Sequence, residues 1–376
     1  MASGKCIHNL PDELLLEIFS NFTIKQLAMT VQHVSWRWKE VSQDNSLWKN
    51  RDYSPGETTT DDEVIQHLRN MPMLRKFSPK RGIRNKGIID TICDSCRNIQ
   101  QLEFTWSQNV KLHTLKQIHI AFPDLTVLKV PLPQNLYILD FFTIIGQFKN
   151  LIRLSFTKRY VKTNQKVLTI LADGCPSLQH IDLGYCMFND QDIRYFLKKK
   201  KYQLLSFSVQ CYISTVTYMA LSDCTNLEYL LYENYNEDLP DTYMHLFSKL
   251  SNLKSLSFSN YRERQTRNLL NIFAKNALSY LTSLRILWCE SLEAQTLDAI
   301  LRNCLGLEEL TVHDNSGLDG GFESIGKCSQ LRKITLQCTS LVDKSFEHIA
   351  AGCQLKELAI EDCDLLTDKA FEYICS

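Results

Sequence analysis

From residue 99 onward the chain repeats a short apolar signature. A Leu, Ile, Phe, Val or Tyr is followed three residues later by a second such residue and five residues later by a third. Examples are Leu125-Leu128-Val130, Leu151-Leu154-Phe156, Leu178-Ile181-Leu183 and Leu253-Leu256-Phe258. The signature returns at Leu307, Leu331 and Leu355. Weaker copies open at Ile99, Leu204, Leu227 and Leu284, and a degenerate one opens at Leu74. Ten steps divide the 256 residues between Ile99 and Leu355, a mean period of 25.6. Within a signature apolar and polar positions alternate, the pattern of a strand with one face against a core. Between signatures, DKSFEHIA from Asp343 and DKAFEYIC from Asp368 lie 25 residues apart and carry apolar pairs at helical spacing, Phe346 with Ile349 and Phe371 with Ile374. Each repeat thus reads as strand, turn and helix. One unit of that size cannot bury both apolar faces, so stacked neighbours must share a continuous core. The expected fold is α/β: a curved solenoid with parallel strands on the concave face and helices on the convex face.

The first fifty residues fall outside this pattern. From Leu10 they read LPDELLLEIFSNFTIKQLAMTVQHVSWRWKEVSQDNSLWKN. Pro11 suits the first turn of a helix, where its missing N–H is not needed, and Asp12 and Glu13 complement the positive helix end. Leu14, Leu15, Ile18, Phe19 and Phe22 then form a wide apolar stripe at helical spacing. A second short helix carries Leu27 and Met29, and a third carries Val34, Trp38 and Val41. Leu47 and Trp48 close the segment. A unit of about forty residues cannot cover Leu10, Leu14, Ile18, Leu27 and Trp48 by itself. That apolar surplus either docks on the repeats or meets a partner. The chain divides into residues 1–50, a connecting segment 51–98 with a degenerate first repeat, and repeats over 99–376.

Composition narrows the function. Forty-two Lys and Arg balance 42 Asp and Glu, so the 376-residue chain lacks the overall basic footprint of a nucleic-acid binder. No apolar run approaches the ~18 residues of a membrane span, and the N-terminus does not read as a secretory signal. A cytoplasmic or nuclear chain with reduced thiols is expected. Ten of the 14 Cys lie on the repeat frame. Cys96, Cys175, Cys224, Cys304 and Cys328 each stand three residues before the first strand position, and Cys353 stands two before it. Cys186 and Cys363 follow the last strand position by three residues, Cys211 and Cys338 by two. Small buried thiols at the turns account for this spacing. Cys93-x-x-Cys96 has no second pair at ligand spacing, so no metal is expected. The histidines show no pairing with Cys or Asp at nucleophile or metal spacing, and no Gly-rich phosphate loop occurs among 13 Gly, so nothing signals a cofactor or an enzyme. The run Lys198–Lys201 ends a helix opening at Asp190, where the dipole favours cations. Asn21-Phe22-Thr23 matches a glycosylation acceptor, but in a chain with no secretory signal.

The cysteine positions, as in GCPSLQHIDLGYC from Gly174, resemble the cysteine-containing class of leucine-rich repeats. The N-terminal segment resembles an F-box through Leu10-Pro11, the run Asp12-Glu13-Leu14-Leu15, Ile18-Phe19, Leu27, Val34 followed by Trp38, and Leu47-Trp48. Ser35 stands where that family often has Cys, and polar Gln32-His33 precede it. Nearly the whole chain therefore resembles an F-box and leucine-rich-repeat protein. Such proteins are substrate receptors of Skp–cullin–F-box ubiquitin ligases. The resemblance implies an F-box that binds the Skp adaptor, and through it the cullin and RING subunits, and repeats that hold a substrate protein. The receptor performs no bond chemistry; it supplies effective concentration and orientation. Adaptor contact carries over to Leu10, Pro11, Leu14, Ile18, Leu27, Trp38 and Trp48, with Trp38 also a candidate for the F-box core. The alternative function is a repeat scaffold whose F-box leads to no degradation.

Alternation along the strands assigns the positions expected on the concave face. Most are small or polar. The exceptions are Tyr229 with Leu231, and Ile286 with Trp288, flanking a strand that carries Ser255, Ser257 and Ser259. With strands ~4.8 Å apart, two aromatic walls would stand ~10 Å apart over a serine floor, a groove for an extended or helical segment of the substrate. Trp and Tyr are favoured binding anchors. The repeat opening at Leu253 is the longest, and its extra residues around SNYRERQTRN place Arg262, Arg264 and Arg267 where they could meet an acidic or phosphorylated partner.

Overall fold

In this computed structural model the described residues are 7, 10–80, 82, 85–104, 110–133, 137–157, 161–162, 165–185, 187–211, 213–234, 248–260, 278–288, 294–313, 318, 322–337 and 341–375. They form two compact units, one of residues 1–159 and 173–177, the other of residues 160–172 and 178–376.

The first unit opens with four helices: α1 (Asp12–Ser20), α2 (Ile24–Met29), α3 (Trp36–Ser42) and α4 (Asn45–Trp48). Their starts are written in the sequence. Thr23 caps α2 in a reciprocal box with Gln26, Ser35 accepts from the Trp38 N–H, and Asp44 accepts from both the N–H and the hydroxyl of Ser46. Those two donors hold the Asp44 carboxyl below its ordinary range. Asn21 and Thr23, the glycosylation-like pair, serve helix ends: Asn21 Nδ2 donates to the Glu17 carbonyl, and Thr23 is the cap. The ladder follows with β1 (Asp52–Tyr53), α5 (Asp61–Arg69), β2 (Lys76–Phe77), α6 (Lys86–Ser95) and β3 (Gln101–Glu103). Helix α7 (Leu112–Ala121), β4 (Val127–Pro131), α8 (Ile138–Ile145) and β5 (Arg153–Thr157) complete it. Each strand from β1 to β4 pairs in parallel with the next in the chain.

The second unit repeats the scheme with α9 (Val167–Gly174), β6 (His180–Asp182), α10 (Asp190–Lys200), β7 (Ser206–Val209), α11 (Thr215–Ser222), β8 (Tyr229–Asn234), β9 (Ser255–Asn260) and β10 (Ser283–Leu287). It continues through α12 (Ala294–Asn303), β11 (Glu309–His313), β12 (Lys333–Gln337), α13 (Asp343–Gly352), β13 (Glu357–Glu361) and α14 (Asp368–Cys375). Its strands are parallel and ordered as in the chain. Leu256, Leu284, Leu310 and Ile334 form one buried row across four strands, and Phe258, Ile286, Val312 and Leu336 form the next.

That register corrects one repeat. Its signature is Leu281-Leu284-Ile286, all three fully buried, and it opens at Leu281 rather than Leu284. Ile286 therefore faces the leucine core. A strand's side chains alternate between faces, so the outward positions of β10 are Ser283, Arg285 and Leu287. Trp288 follows the strand with φ 50°, a left-handed conformation unusual for a non-glycine residue, and it is half-buried.

Two side-chain devices join successive repeats. Buried thiols donate to carbonyls of the preceding repeat, Cys96 to Leu68 at 3.4 Å, Cys175 to Ile145 at 3.4 Å, Cys304 to Leu278 at 3.6 Å and Cys328 to Leu301 at 3.3 Å, and half-buried Cys353 donates to Ile325 at 3.5 Å. Burial pushes the Cys96, Cys224, Cys304 and Cys328 thiols up to about 12, which makes them packing groups and not nucleophiles. Cys186 and Cys338 lie outside the described residues. Aspartates tie helix starts together. Asp190 accepts from the Ser214 N–H and hydroxyl, both at 2.7 Å, and Asp343 from the Thr367 N–H at 2.8 Å and hydroxyl at 2.7 Å. Asp192 reaches back to the start of α9, accepting from the Leu168 N–H at 2.6 Å and from the Thr169 N–H and hydroxyl at 2.8 and 2.7 Å. Lys198–Lys200 form the last turn of α10, and Lys201 lies 4.4 Å from the centre of the Tyr202 ring.

Candidate functional site

Two surfaces, one in each unit, hold the candidate residues. The first is built by helices α1 to α4. Leu15 and Phe19 turn inward from α1, where Phe19 meets the Trp38 ring edge-on at 5.0 Å. Leu27 and Trp48 are fully buried, and the Trp48 indole donates to the Ser42 carbonyl at 2.7 Å. These two are therefore interior residues of the helical segment and not part of its surface, a correction to their expected adaptor role. Pro11 is exposed, Leu14 is 45% exposed, and Leu10, Ile18 and Trp38 are half-buried. The surface also carries two residues outside the expected adaptor set: Val34, 48% exposed, and Trp36, 77% exposed, which the spacing did not single out at all.

Two arginines fix this surface. Arg37, at the start of α3, donates to the Leu10 carbonyl at 2.6 Å and to Asp12 Oδ1 through Nε at 3.0 Å and Nη2 at 2.6 Å. It joins the starts of α1 and α3, next to Pro11 and Trp36. Arg51 donates to the Ser20 and Phe22 carbonyls at the other end of α1. A fork-shaped donor suits such double contacts.

The second surface is the strand face of the second unit opposite its leucine core. Tyr229, 46% exposed, and Leu231, half-buried, stand on it as expected. Ser257 and Ser259 stand there too but are 6% and 2% exposed, and their hydroxyls have no hydrogen-bond partner. The second wall differs from the expectation. Ile286 points into the core, Trp288 follows the strand end, and exposed Arg285 takes the outward place beside Ser257. Arg262, Arg264 and Arg267 lie outside the described residues. Among the described residues no group of three or more His, Cys, Asp and Glu could hold a metal ion, and no helix is long and apolar enough to cross a membrane.

Comparisons with known proteins agree with this architecture. Residues 7–54 match the F-box-like family model. No curated protein matches the chain significantly. Among solved structures, the yeast complex of Rad7 and Elc1 aligns over 96% of this chain and 90% of that chain, with a TM-score of 0.58 at 14% identity, a likeness of fold. An internalin (inlF) of Listeria monocytogenes aligns over 89% of this chain and 93% of that chain, with a TM-score of 0.47 and 14% identity. The chain couples an F-box-like domain to an α/β leucine-rich-repeat fold.

Proposed function

We propose that this protein is the substrate-recognition subunit of a Skp–cullin–F-box ubiquitin ligase. The observation that carries the reading is apolar exposure inside the F-box-like match: Leu14, Val34 and Trp36 are 45%, 48% and 77% exposed within residues 7–54. Large apolar side chains exposed together in one small domain favour a partner surface. Leu10, Pro11, Leu14, Ile18 and Trp38, with Val34 and Trp36, meet the Skp adaptor and through it the cullin and RING subunits. Leu27, Trp48, Arg37 and Arg51 hold that surface in shape.

The strand face of the repeats holds the substrate protein, and Tyr229 and Leu231 are its apolar anchors. The receptor breaks no bond; it raises the local concentration of substrate beside the charged conjugating enzyme. The test is turnover. A protein captured on the repeats should be short-lived with the native chain and should accumulate when Leu14 and Ile18 are changed to Ala. An unchanged lifetime of every captured protein would reject the receptor function in favour of a non-degradative scaffold.

A further inference from the structure

His67 is a buried titratable group that the proposed function leaves unused. It lies in the last turn of α5, is 5% exposed, and its Nδ1 stands 2.6 Å from the hydroxyl of Tyr53 on β1, itself 5% exposed. The two rings meet edge-on at 5.7 Å. The pair sits where the F-box-like helices join the first repeats. Two residues before Tyr53, Arg51 donates to the Ser20 and Phe22 carbonyls at the end of α1. Three residues after His67, Asn70 donates its N–H to the His67 carbonyl at 3.0 Å, and its own carbonyl accepts from the side-chain amide of Gln32 at 2.9 Å. Gln32, 6% exposed, is one of the polar residues that stand out against the F-box pattern, and this seam is its use. Neither the Tyr53 hydroxyl nor the His67 ring has another hydrogen-bond partner among the described residues. Burial pushes the Tyr53 phenol up, so it keeps its hydrogen and donates it to Nδ1. That bond exists only while Nδ1 carries no proton. A proton there turns two donors toward each other, and the phenol hydrogen has no second acceptor to turn to.

The charged groups nearby do not relieve the conflict. Lys25 of α2 opposes a second cation. Glu63, one turn earlier on α5, favours one but already accepts from the Thr60 N–H at 2.8 Å and hydroxyl at 3.0 Å. Charges on the other packed elements are engaged elsewhere: Asp52 of β1 with Ser78 at 3.4 Å, Lys76 of β2 with Glu103 at 3.3 Å, and Asp90 of α6 with Gln117 at 2.9 Å. Burial pushes the Cys93 and Cys96 thiols up to about 12, so they stay neutral. Burial, with Lys25 beside it, holds the His67 imidazole below its ordinary range. We propose that the Tyr53–His67 pair is an acid-sensitive latch on the seam between the F-box-like helices and the first repeats, closed while His67 is neutral and released when the ring takes a proton. The sign follows from the unfolded chain, whose imidazole, with its ordinary value of 6.5, takes up a proton before the folded one does. The latch therefore contributes fully above that value and is lost as pH falls below it. The inference concerns the seam itself and does not depend on adaptor binding.

The experiment is amide hydrogen exchange on the full chain at pH 7.5 and pH 5.5, native beside His67→Gln. The amides to read are Asn70, Met71 and Ser78, which donate to the carbonyls of His67, Leu68 and Tyr53. Comparing the two chains at each pH removes the intrinsic pH dependence of exchange. An imidazole of ordinary value is about ten-to-one protonated at pH 5.5, so native protection at these amides should fall by up to about tenfold more than that of His67→Gln. Amides of α13, in the second unit, should show no such difference. A second reading needs no substitution at His67: the imidazole proton resonance should titrate below 6.5 in the native chain and move upward in Tyr53→Phe, which has no hydroxyl hydrogen to misplace. An equal loss of protection in native and His67→Gln chains assigns the acid sensitivity to carboxylates and overturns the latch. So does a native His67 that titrates at or above 6.5, or one that Tyr53→Phe leaves unmoved.

Discussion

Replacing Asp192 by Ala tests whether the repeats are held together by polar clasps as well as by leucines. Asp192 is 2% exposed and its carboxylate accepts three hydrogen bonds at the start of α9, from the Leu168 N–H at 2.6 Å and from the Thr169 N–H and hydroxyl at 2.8 and 2.7 Å. Hydrogen bonds to a charged group contribute about 1.5–3 kcal/mol each, and stranded buried donors cost about 1–3 kcal/mol. Loss of a helix cap alone costs about 0.5–2 kcal/mol. Deleting the carboxylate also removes the penalty of burying a charge, several kcal/mol in its own right. The Leu168 and Thr169 N–H groups belong to the backbone and cannot be deleted with it, so the balance is a loss of about 2–4 kcal/mol. Asp192→Asn keeps an acceptor in place and should lose about half as much. Stacked repeats unfold in segments, so the assay is amide hydrogen exchange at Leu168, Thr169 and the rest of α9, read beside the urea midpoint. Exchange at those amides should accelerate first. An Ala variant within about 0.5 kcal/mol of the native chain, with unchanged exchange in α9, refutes the clasp.

Other expectations follow from the same geometry. The buried thiols Cys96, Cys224, Cys304 and Cys328, pushed up to about 12, should resist alkylation at pH 8 in the native protein and react in urea, while exposed Cys375 reacts first. Gly352→Ala should destabilise by about 1–3 kcal/mol, because an added Cβ would fall 2.2 Å from the Gly326 backbone; thermal unfolding reads this. Tyr53→Phe removes the hydroxyl that meets His67 Nδ1 at 2.6 Å in a buried pair and should cost about 1–3 kcal/mol by urea unfolding. The hydrogen bonds from Thr367 hold the Asp343 carboxyl below its usual range. Its contribution is complete above the unfolded value near 3.8 and is lost as pH falls through the lower folded value, so the melting temperatures of native and Asp343→Asn proteins should converge below pH 4.

The repeat frame was legible because three signals coincide: the alternating leucines, the helical pairs and the cysteines. Leu256, Phe258, Leu310 and Val312 needed no tertiary information to be placed in the core. Ile286 and Trp288 failed for a local reason. The run Leu284-Arg285-Ile286-Leu287-Trp288 has four apolar residues in five, so alternation alone permits two starting points. Only pairing with β9 and β11 settles that Ile286 goes in and Arg285 goes out. Leu27 and Trp48 show a second limit. Helical spacing marks residues as apolar but does not tell an interior from a partner surface in a small domain, and it does not single out Trp36, the most exposed large apolar residue of its segment. Arg37 and Arg51 were invisible because their partners lie 25 to 31 residues away, beyond any local pattern.

The most direct measurement of the central claim is calorimetric titration of the purified Skp adaptor into the full chain. The account predicts one-to-one binding that weakens at least tenfold in a Leu14→Ala, Trp36→Ala double variant. Both residues are exposed, so the variant should keep the native melting temperature. Absence of binding by the native chain, or unchanged affinity in the double variant, would contradict it.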